Sequence, residues 1–179
     1  MSEVTVICCW NDEKMYGDFV STLKAQDCPY ELIGIDNRGN GAFTSCAAAY
    51  NSVINLVNTK YVVYSHQDIL LQGSGELTKF VSCLERTGRD DILGAAGMRF
   101  DTKGTFTDFK HFIKQAGEII PAGSNRIVDG FMEADTVDEC FFGGHTEHFR
   151  DNLFDEVLCD GWHLYAAEAC LRTQSKLLL

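Results

Sequence analysis

A histidine and a carboxylate two residues apart directly follow an apolar run near the middle of the chain. The run covers residues 61–64, is β-branched and aromatic as buried strands are, and leads into His66, Gln67 and Asp68. In open α/β sheets, ligands bind at the carboxyl ends of the strands. The pattern predicts that Asp68 binds a divalent cation and that His66 either binds it too or contacts a phosphate, although a plain surface loop would look similar. Oxygen ligands suit Mg²⁺, and a neighbouring imidazole favours Mn²⁺ or a later transition metal.

Two further carboxylates stand at the ends of predicted elements. Asp36 ends a run over residues 31–36, and because parallel strands end at one edge, we expect Asp36 and Asp68 to approach each other. A turn, in which Asp bonds its own backbone, is the commoner role for Asp36 taken alone. Asp160 precedes the last helical pattern and is either its N-cap or a general base over the site. His163, in the first turn of that predicted helix, binds metal, contacts phosphate or faces solvent.

The elements that would position these groups alternate along the first half of the chain. Predicted strands cover residues 4–10, 31–36, 61–65 and 92–96, and helical spacing of apolar residues covers 15–23, 43–57 and 76–86. Asn11 is the predicted cap of the first helix. This order implies crossover connections and a parallel, doubly wound sheet.

The second half is less regular. Residues 98–132 are rich in Gly, Thr and Lys and predict hairpins and loops over the active face. Residues 136–143 predict one strand, for which an antiparallel direction is an option. The last helix is predicted over 162–173, with Trp162, Tyr165 and Cys170 among the residues of its inner face. The apolar end of the chain predicts either the start of a strand or a tail packed on the domain.

Composition narrows the classes of partner. The 179 residues are 45% hydrophobic and 23% charged, which suits one globular domain. A net charge of -11 repels nucleic acid and anionic membranes, so neither is expected as a partner. A phosphorylated substrate would be repelled too, unless a divalent cation cancels its charge locally.

Several signals are absent from the sequence. The eight cysteines form no C-x-x-C and lie in apolar or helical patterns, which favours reduced core thiols and a cytoplasmic location. The start carries no signal-peptide pattern, and no apolar run reaches the length of a membrane span. Neither the dinucleotide-binding glycine motif nor the P-loop motif occurs.

Taken together, five segments resemble family-2 glycosyltransferases of the GT-A type, in particular a bacterial glycosyltransferase-like subgroup. They are VTVICCWNDEK, YELIGIDNRGN, the helix containing AAAYN, KYVVYSHQDILL and FDEVLCDGWHLYAAEACLR. The resemblance covers nearly the whole chain. It implies one α/β domain over residues 1–179 with the GT-A (nucleotide-diphospho-sugar transferase) fold, a mostly parallel central sheet flanked by helices. The donor-binding half would be about residues 1–97, and the acceptor-side and catalytic half about 98–179.

The resemblance also implies roles for individual residues. His66-Gln67-Asp68 occupies the place of the family's D-x-D motif, whose last Asp binds the metal on the diphosphate; His66 departs from its first Asp. Asp160 occupies the place of the general base of inverting members. The remaining implied roles are nucleotide contacts by Cys9, Trp10, Asn11, Asp36, Asn51 and Gln67, and metal ligation by Asp68, His66 and His163.

The expected function is therefore transfer of a sugar from a UDP- or GDP-sugar to a hydroxyl of a glycan or other acceptor, assisted by Mn²⁺ or Mg²⁺. The altered D-x-D segment leaves open a relative that binds nucleotide or glycan without turnover. A nucleotidyltransferase on a similar sheet is a further alternative. It would need a basic phosphate-gripping loop after the first strand, where the sequence has Asn11, Asp12 and Glu13.

Overall fold

The computed structural model describes residues 2–39, 41–100, 103–115, 118–123, 133–173 and 177–178. The predicted loops of residues 124–132 lie outside the described residues. In the part that is described, no helix has both the length and the apolar character needed to cross a membrane. All eight cysteines are free thiols.

The predicted alternation of strands and helices is present in the first half of the chain. The elements are β1 (Val4–Trp10), α1 (Glu13–Lys24), β2 (Tyr30–Asp36), α2 (Cys46–Val53) with a 3-10 turn (Ile54–Leu56), β3 (Tyr61–Ser65), α3 (Glu76–Leu84) and β4 (Ile92–Gly94). The predicted bounds of β1 and β3 are confirmed, since both strands are nearly continuous apolar runs that the structure buries almost completely.

The described residues of the second half form strands of two to ten residues and two helices. They are β5 (Gly97–Phe100), β6 (Phe106–Gln115), β7 (Glu118–Gly123), β8 (Glu133–Ala134), β9 (Thr136–Val137), β10 (Phe141–His145), α4 (Thr146–Asp151), α5 (Tyr165–Thr173) and β11 (Leu177–Leu178). Strands β7, β6, β5 and β9 form a four-stranded antiparallel sheet in that order.

The central sheet has seven strands in the order β2-β1-β3-β10-β4-β11-β8. Strand β1 pairs in parallel with β2 and β3, and β10 lies antiparallel between β3 and β4. Gly143 of β10 allows this close pairing, because a Cβ there would lie 2.2 Å from the carbonyl oxygen of Val62. The carboxyl ends of β2, β1 and β3 therefore lie side by side at one edge.

Each face of this sheet carries its own hydrophobic core. Alternate residues of β3 point to opposite faces, so Val62 and Tyr64 join one cluster while Tyr61 and Val63 join the other. The first cluster is rich in aromatic rings from β3, β10, α2, α4, α5 and the segment between α4 and α5. They are Tyr50, Tyr64, Phe142, Phe149, Phe154 and Tyr165. The second cluster is mostly aliphatic and packs under α1 and α3.

Several predicted boundaries are wrong, and at two of them a polar side chain explains where the element starts or ends. Asp12, not Asn11, caps α1 by accepting a hydrogen bond from the Met15 amide. The predicted strand over residues 136–143 is two strands, β9 and β10, separated by a turn at 138–140 in which Asp138 accepts from the Cys140 amide. Helix α5 begins at Tyr165, so residues 162–164 precede it.

Candidate active site

A cavity of about 220 Å³ opens at the carboxyl ends of β1, β2 and β3. It is smaller than the roughly 300–1,000 Å³ of most ligand pockets, so a nucleotide sugar would extend beyond it. Its lining comes from the ends of three strands, the start of α2 and the segment before α5: Cys9, Trp10, Asn11, Asn37, Cys46, Tyr50, His66, Gln67, Asp68, Trp162 and His163. Seven of the residues predicted for the site therefore share one cavity.

One side of the cavity, here called the β3 wall, consists of Asn11, His66, Gln67 and Asp68. The Gln67 side chain joins the segments after β1 and β3, since its Oε1 accepts from the amides of Asn11 and Asp12 at 2.9 Å each. Its Nε2 donates to Asn11 Oδ1 at 2.8 Å. All three bonds use neutral groups, and they leave Gln67 little hydrogen-bonding capacity for a ligand.

His66 is anchored at both its backbone and its ring. Its amide donates to the Cys140 carbonyl at 2.9 Å, and its Nε2 lies 3.1 Å from the Tyr165 hydroxyl. Burial raises the pKa of Tyr165 far above its ordinary value, so the hydroxyl keeps its proton at neutral pH. This contact fixes the ring against the start of α5.

Asp68 differs from its neighbours in the β3 wall. Its side chain is exposed at the cavity, and none of the described residues donates a hydrogen bond to its carboxylate. A carboxylate placed in this way has its oxygens available to a cation or a ligand hydroxyl.

The opposite side, here called the α5 wall, is residues 162–164, of which Trp162 and His163 line the cavity. Glu139 holds this wall: one carboxylate oxygen lies 2.9 Å from His163 Nδ1, and the other accepts from the Leu164 amide at 2.8 Å. Leu164 has a φ of 71°, a conformation that costs an L-residue roughly 1–2 kcal/mol. The α5 wall is therefore a strained turn fixed by one carboxylate.

The thiols of Cys9 and Cys46 also line the cavity. Burial raises the pKa of Cys46 to about 11 and that of Cys9 to about 12. Both thiols are therefore un-ionised at neutral pH and act as small apolar surfaces rather than as nucleophiles.

Three predicted residues lie outside the cavity. Asp36 bonds Arg38, with 2.7 Å between Oδ2 and Nη2, and this hydrogen bonding lowers the pKa of Asp36. Strand β1 lies between β2 and β3, so the strands that precede Asp36 and Asp68 are not direct neighbours. The expected approach of the two carboxylates stays a prediction. The Arg38 guanidinium carbon lies 4.6 Å from the centre of the Trp10 ring, which links Asp36 to a residue that lines the cavity.

Asn51 and Asp160 are the other two. Asn51 pairs with the backbone of Phe154, donating to its carbonyl at 2.9 Å and accepting from its amide at 3.0 Å, which ties α2 to the segment before α5. Asp160 is exposed two residues ahead of Trp162 and does not cap α5. The predicted roles of Asn51 in nucleotide binding and of Asp160 as a base stay predictions.

Carboxylate and imidazole groups of this kind fit a divalent cation that shares its coordination with substrate phosphate oxygens. Within the described ranges, no three His, Cys, Asp or Glu side chains converge as a complete metal site. The Asp68 carboxylate has no hydrogen-bond partner among these residues, whereas the His66 and His163 rings each use one nitrogen for a partner and have a second nitrogen. The protein side of such a site would therefore be partial.

Sequence reasoning did not select several residues that build the site. Asn37, Cys46, Tyr50 and Trp162 line it, and Glu139 supports it from behind. Asn37 could have been found from its place directly after β2, at the same edge as Asp68. Glu139 had no such signal, because its partners lie more than twenty residues further along the chain.

The sequence profile of the glycosyltransferase-like family matches residues 5–177. The chain therefore belongs to this glycosyltransferase-like family, and the predicted family resemblance is confirmed. No curated protein sequence matches the chain.

Solved structures confirm the fold class. S. aureus TarS 1-349 superimposes with a TM-score of 0.65 at 11% identity, covering 99% of this chain and 57% of that one. GalNAc-T7 with UDP, GalNAc and Mn²⁺ gives 0.63 at 11% identity, covering 99% of this chain and 42% of that one. The chain thus has the GT-A glycosyltransferase fold and spans little more than half the length of the TarS fragment.

Proposed function

We propose that this domain transfers a sugar from a nucleoside diphosphate donor to an acceptor hydroxyl. The observation that carries the proposal is Asp68, an exposed carboxylate in a cavity at the carboxyl ends of three adjacent strands, in a chain of the glycosyltransferase-like family. Solved structures of similar fold support this choice of donor class: TarS has been solved with UDP-GlcNAc and with UDP, and GalNAc-T7 with UDP, GalNAc and Mn²⁺. A UDP-sugar is accordingly the first donor to test, and a GDP-sugar the second.

In this proposal the residues at the ends of β1 and β3 bind the donor and its metal ion. Cys9, Trp10 and Asn11 contact the nucleoside, and Asp68 holds the Mn²⁺ or Mg²⁺ ion. That ion, when bound, neutralises charge on the departing diphosphate and so permits an acidic protein to bind an acidic donor. Gln67 keeps the segment of Asn11 in place.

Asp160 would accept the proton of the acceptor hydroxyl. The acceptor oxygen forms a bond to the sugar carbon while the bond from that carbon to the diphosphate breaks, and the proton passes to the carboxylate. Asp160 lies just ahead of the α5 wall, which is consistent with an acceptor approaching from that side.

The proposal also divides the domain into a donor-binding half, about residues 1–97, and an acceptor-side half, about residues 98–179. It further includes a bacterial protein in the cytoplasm.

One observation favours a second candidate, a domain that binds nucleotide or glycan without turnover. The position of the first D-x-D aspartate is His66, and its Nε2 is occupied by Tyr165. Such a domain would bind the donor at the same cavity and leave the sugar attached.

Calorimetric titration with UDP and GDP, with and without Mn²⁺, tests the binding. We expect metal-dependent binding that Asp68→Ala abolishes. Asp18→Ala is the matched control, because Asp18 is an exposed aspartate of α1 that pairs only with Lys14 among the described residues. Metal-dependent binding that survives in Asp68→Ala would refute the metal assignment.

Turnover separates the two candidates. Wild-type protein incubated with UDP-GlcNAc, Mn²⁺ and a panel of glycan acceptors should release UDP, and Asp160→Asn should bind the donor normally but release none. Full activity in Asp160→Asn would exclude this residue as the base. Donor binding without release of UDP by the wild type would favour the non-catalytic candidate.

A further inference from the structure

Glu139 is the residue behind the α5 wall. It lies in the turn between β9 and β10, and its side chain is only 15% exposed. The same turn is tied to the β3 wall, because the Cys140 carbonyl accepts from the His66 amide at 2.9 Å. Glu139 therefore stands between the two walls and contacts the α5 wall directly.

The two oxygens of Glu139 face two different kinds of group. Oε2 accepts from the Leu164 amide, which can only donate, and Oε1 lies 2.9 Å from His163 Nδ1. An ionised carboxylate can only accept. The proton of a neutral His163 ring must therefore be on Nδ1, which leaves a lone pair on Nε2.

We propose that Glu139 is a positioning residue that fixes the tautomer of His163 and so presents the Nε2 lone pair at the cavity. His163 lines the cavity, and Nε2 has no hydrogen-bond partner among the described residues. A carboxylate behind an imidazole is the usual way to set which ring nitrogen meets a ligand.

The tautomer determines the chemical class of ligand that Nε2 accepts. A lone pair attracts electropositive groups, namely a divalent cation or the hydrogen of a hydroxyl group. It repels phosphate oxygens, which are acceptors themselves. Of the roles considered for His163, contact to phosphate is therefore the one that this arrangement disfavours. The ligand assignment rests on the proposed function, whereas the tautomer does not.

Glu139→Gln should change the tautomer of His163, because the side-chain amide of glutamine has one oxygen that accepts and one NH₂ group that donates. The Leu164 amide requires the oxygen, so the NH₂ group is left facing Nδ1 of His163. That nitrogen must then accept, and the proton moves to Nε2. The substitution retains shape and the Leu164 bond but reverses the tautomer.

Nitrogen NMR of the full chain without ligand tests the proposal directly. Long-range ¹H–¹⁵N spectra, recorded at a pH where the ring is neutral, separate the two tautomers, and His163→Asn identifies the signals among the five histidines. We expect Nδ1–H in the wild type, Nε2–H in Glu139→Gln, and Nδ1–H again in Glu139→Asp. Glu156→Gln, an exposed glutamate elsewhere, should leave the signals unchanged. Nε2–H in the wild type would overturn the proposal, even if no Glu139 variant folds.

Donor titration provides the second readout. If the proposed function holds, Glu139→Gln should weaken Mn²⁺-dependent donor binding or acceptor affinity by about tenfold to a hundredfold, the usual effect of losing such a support. A loss of Mn²⁺-dependent donor affinity identifies the cation as the partner, and a raised acceptor KM alone identifies the hydroxyl. Unchanged values for both, with the tautomer reversed, would refute the ligand assignment. If the wild type binds no donor at all, the proposed function fails while the tautomer result stands.

Discussion

The β3 wall and the α5 wall face the same cavity but are held by different means. In the β3 wall, Gln67 makes three bonds between neutral groups, and the strands beneath it are buried at the centre of the sheet. In the α5 wall, one carboxylate, Glu139, holds a turn that contains a residue with positive φ. The β3 wall therefore belongs to what we call the frame, namely strands β1, β2, β3 and β10 with the segments that follow β1 and β3. The α5 wall is a separate strained loop.

This difference indicates how substitutions should act. Changes beneath or within the β3 wall should lower the free energy of unfolding, because the wall shares its bonds with the sheet. Changes in the α5 wall should act on ligands with little loss of stability. The predictions that follow test this distinction, beginning with the largest expected effect.

Gly143→Ala should disrupt the frame. Its Cβ would lie 2.2 Å from the Val62 carbonyl oxygen, a backbone atom that cannot move aside without separating β10 from β3. We expect a loss of about 3 kcal/mol in urea unfolding, or failure to fold. Gly17→Ala is the control: nothing lies within 4 Å of its Cβ, and alanine in α1 should add about 0.5–1 kcal/mol. Equal stability of the two variants would contradict the frame interpretation.

Gln67→Ala should have the next largest effect. It removes three hydrogen bonds between the segments after β1 and β3, which are exposed and thus contribute modestly. The expected loss is about 1–2 kcal/mol, together with weaker donor binding. Gln72→Ala, which loses one exposed bond to the Leu70 carbonyl, should stay within about 0.5 kcal/mol of wild type. If Gln67→Ala is as stable as Gln72→Ala, the β3 wall is not part of the frame.

Leu164→Gly should raise stability slightly while altering the α5 wall. Glycine adopts a φ of 71° without strain, and the Leu164 side chain is 70% exposed, so little packing is lost. The net gain should be about 0.5–1 kcal/mol, because relief of roughly 1–2 kcal/mol of strain is partly offset by the flexibility of glycine. Leu171→Gly, at an exposed position inside α5, should instead cost about 1 kcal/mol. A destabilised Leu164→Gly would mean that the turn is not strained.

At neutral pH the smallest effect comes from the thiols that line the cavity. Burial raises the pKa of Cys46 from 9.0 to about 11, so the folded chain keeps a proton that the unfolded chain loses above pH 9. Stability should therefore fall as the pH rises from 9 towards 11. In Cys46→Ala the fall, measured as urea midpoints at pH 8 and pH 10, should be shallower. Identical pH dependence in both proteins would exclude a contribution from Cys46.

The sequence predicted the parts of the site that follow directly from a continuous strand. The bounds of Val4–Trp10 and Tyr61–Ser65 were predicted because strands that are buried on both faces are nearly continuous apolar runs. The residues after these strands consequently fell in the cavity. Trp162 was placed on the inner face of a helix because its spacing fits one, yet it lies ahead of α5 and is 41% exposed.

The contact of Glu139 with the α5 wall could not be predicted from the sequence. Glu139 and His163 meet only because β10, α4 and α5 bring two turns together, and no local periodicity records that contact. Their pairing is a tertiary contact between polar residues, whereas apolar patterns report only which elements form and which faces they bury.

The antiparallel position of β10 has a consequence for the order of folding. Strands β1, β2 and β3 come from one continuous stretch of chain and can pair as soon as that stretch is available. The other edge of β3 stays open until β10, far along the chain, inserts beside it, and only then can β4 join the sheet. Such long-range pairing slows folding and leaves a hydrophobic strand edge exposed in the meantime. A nascent chain that has not yet extended past β10 would therefore be the species most prone to aggregation during synthesis.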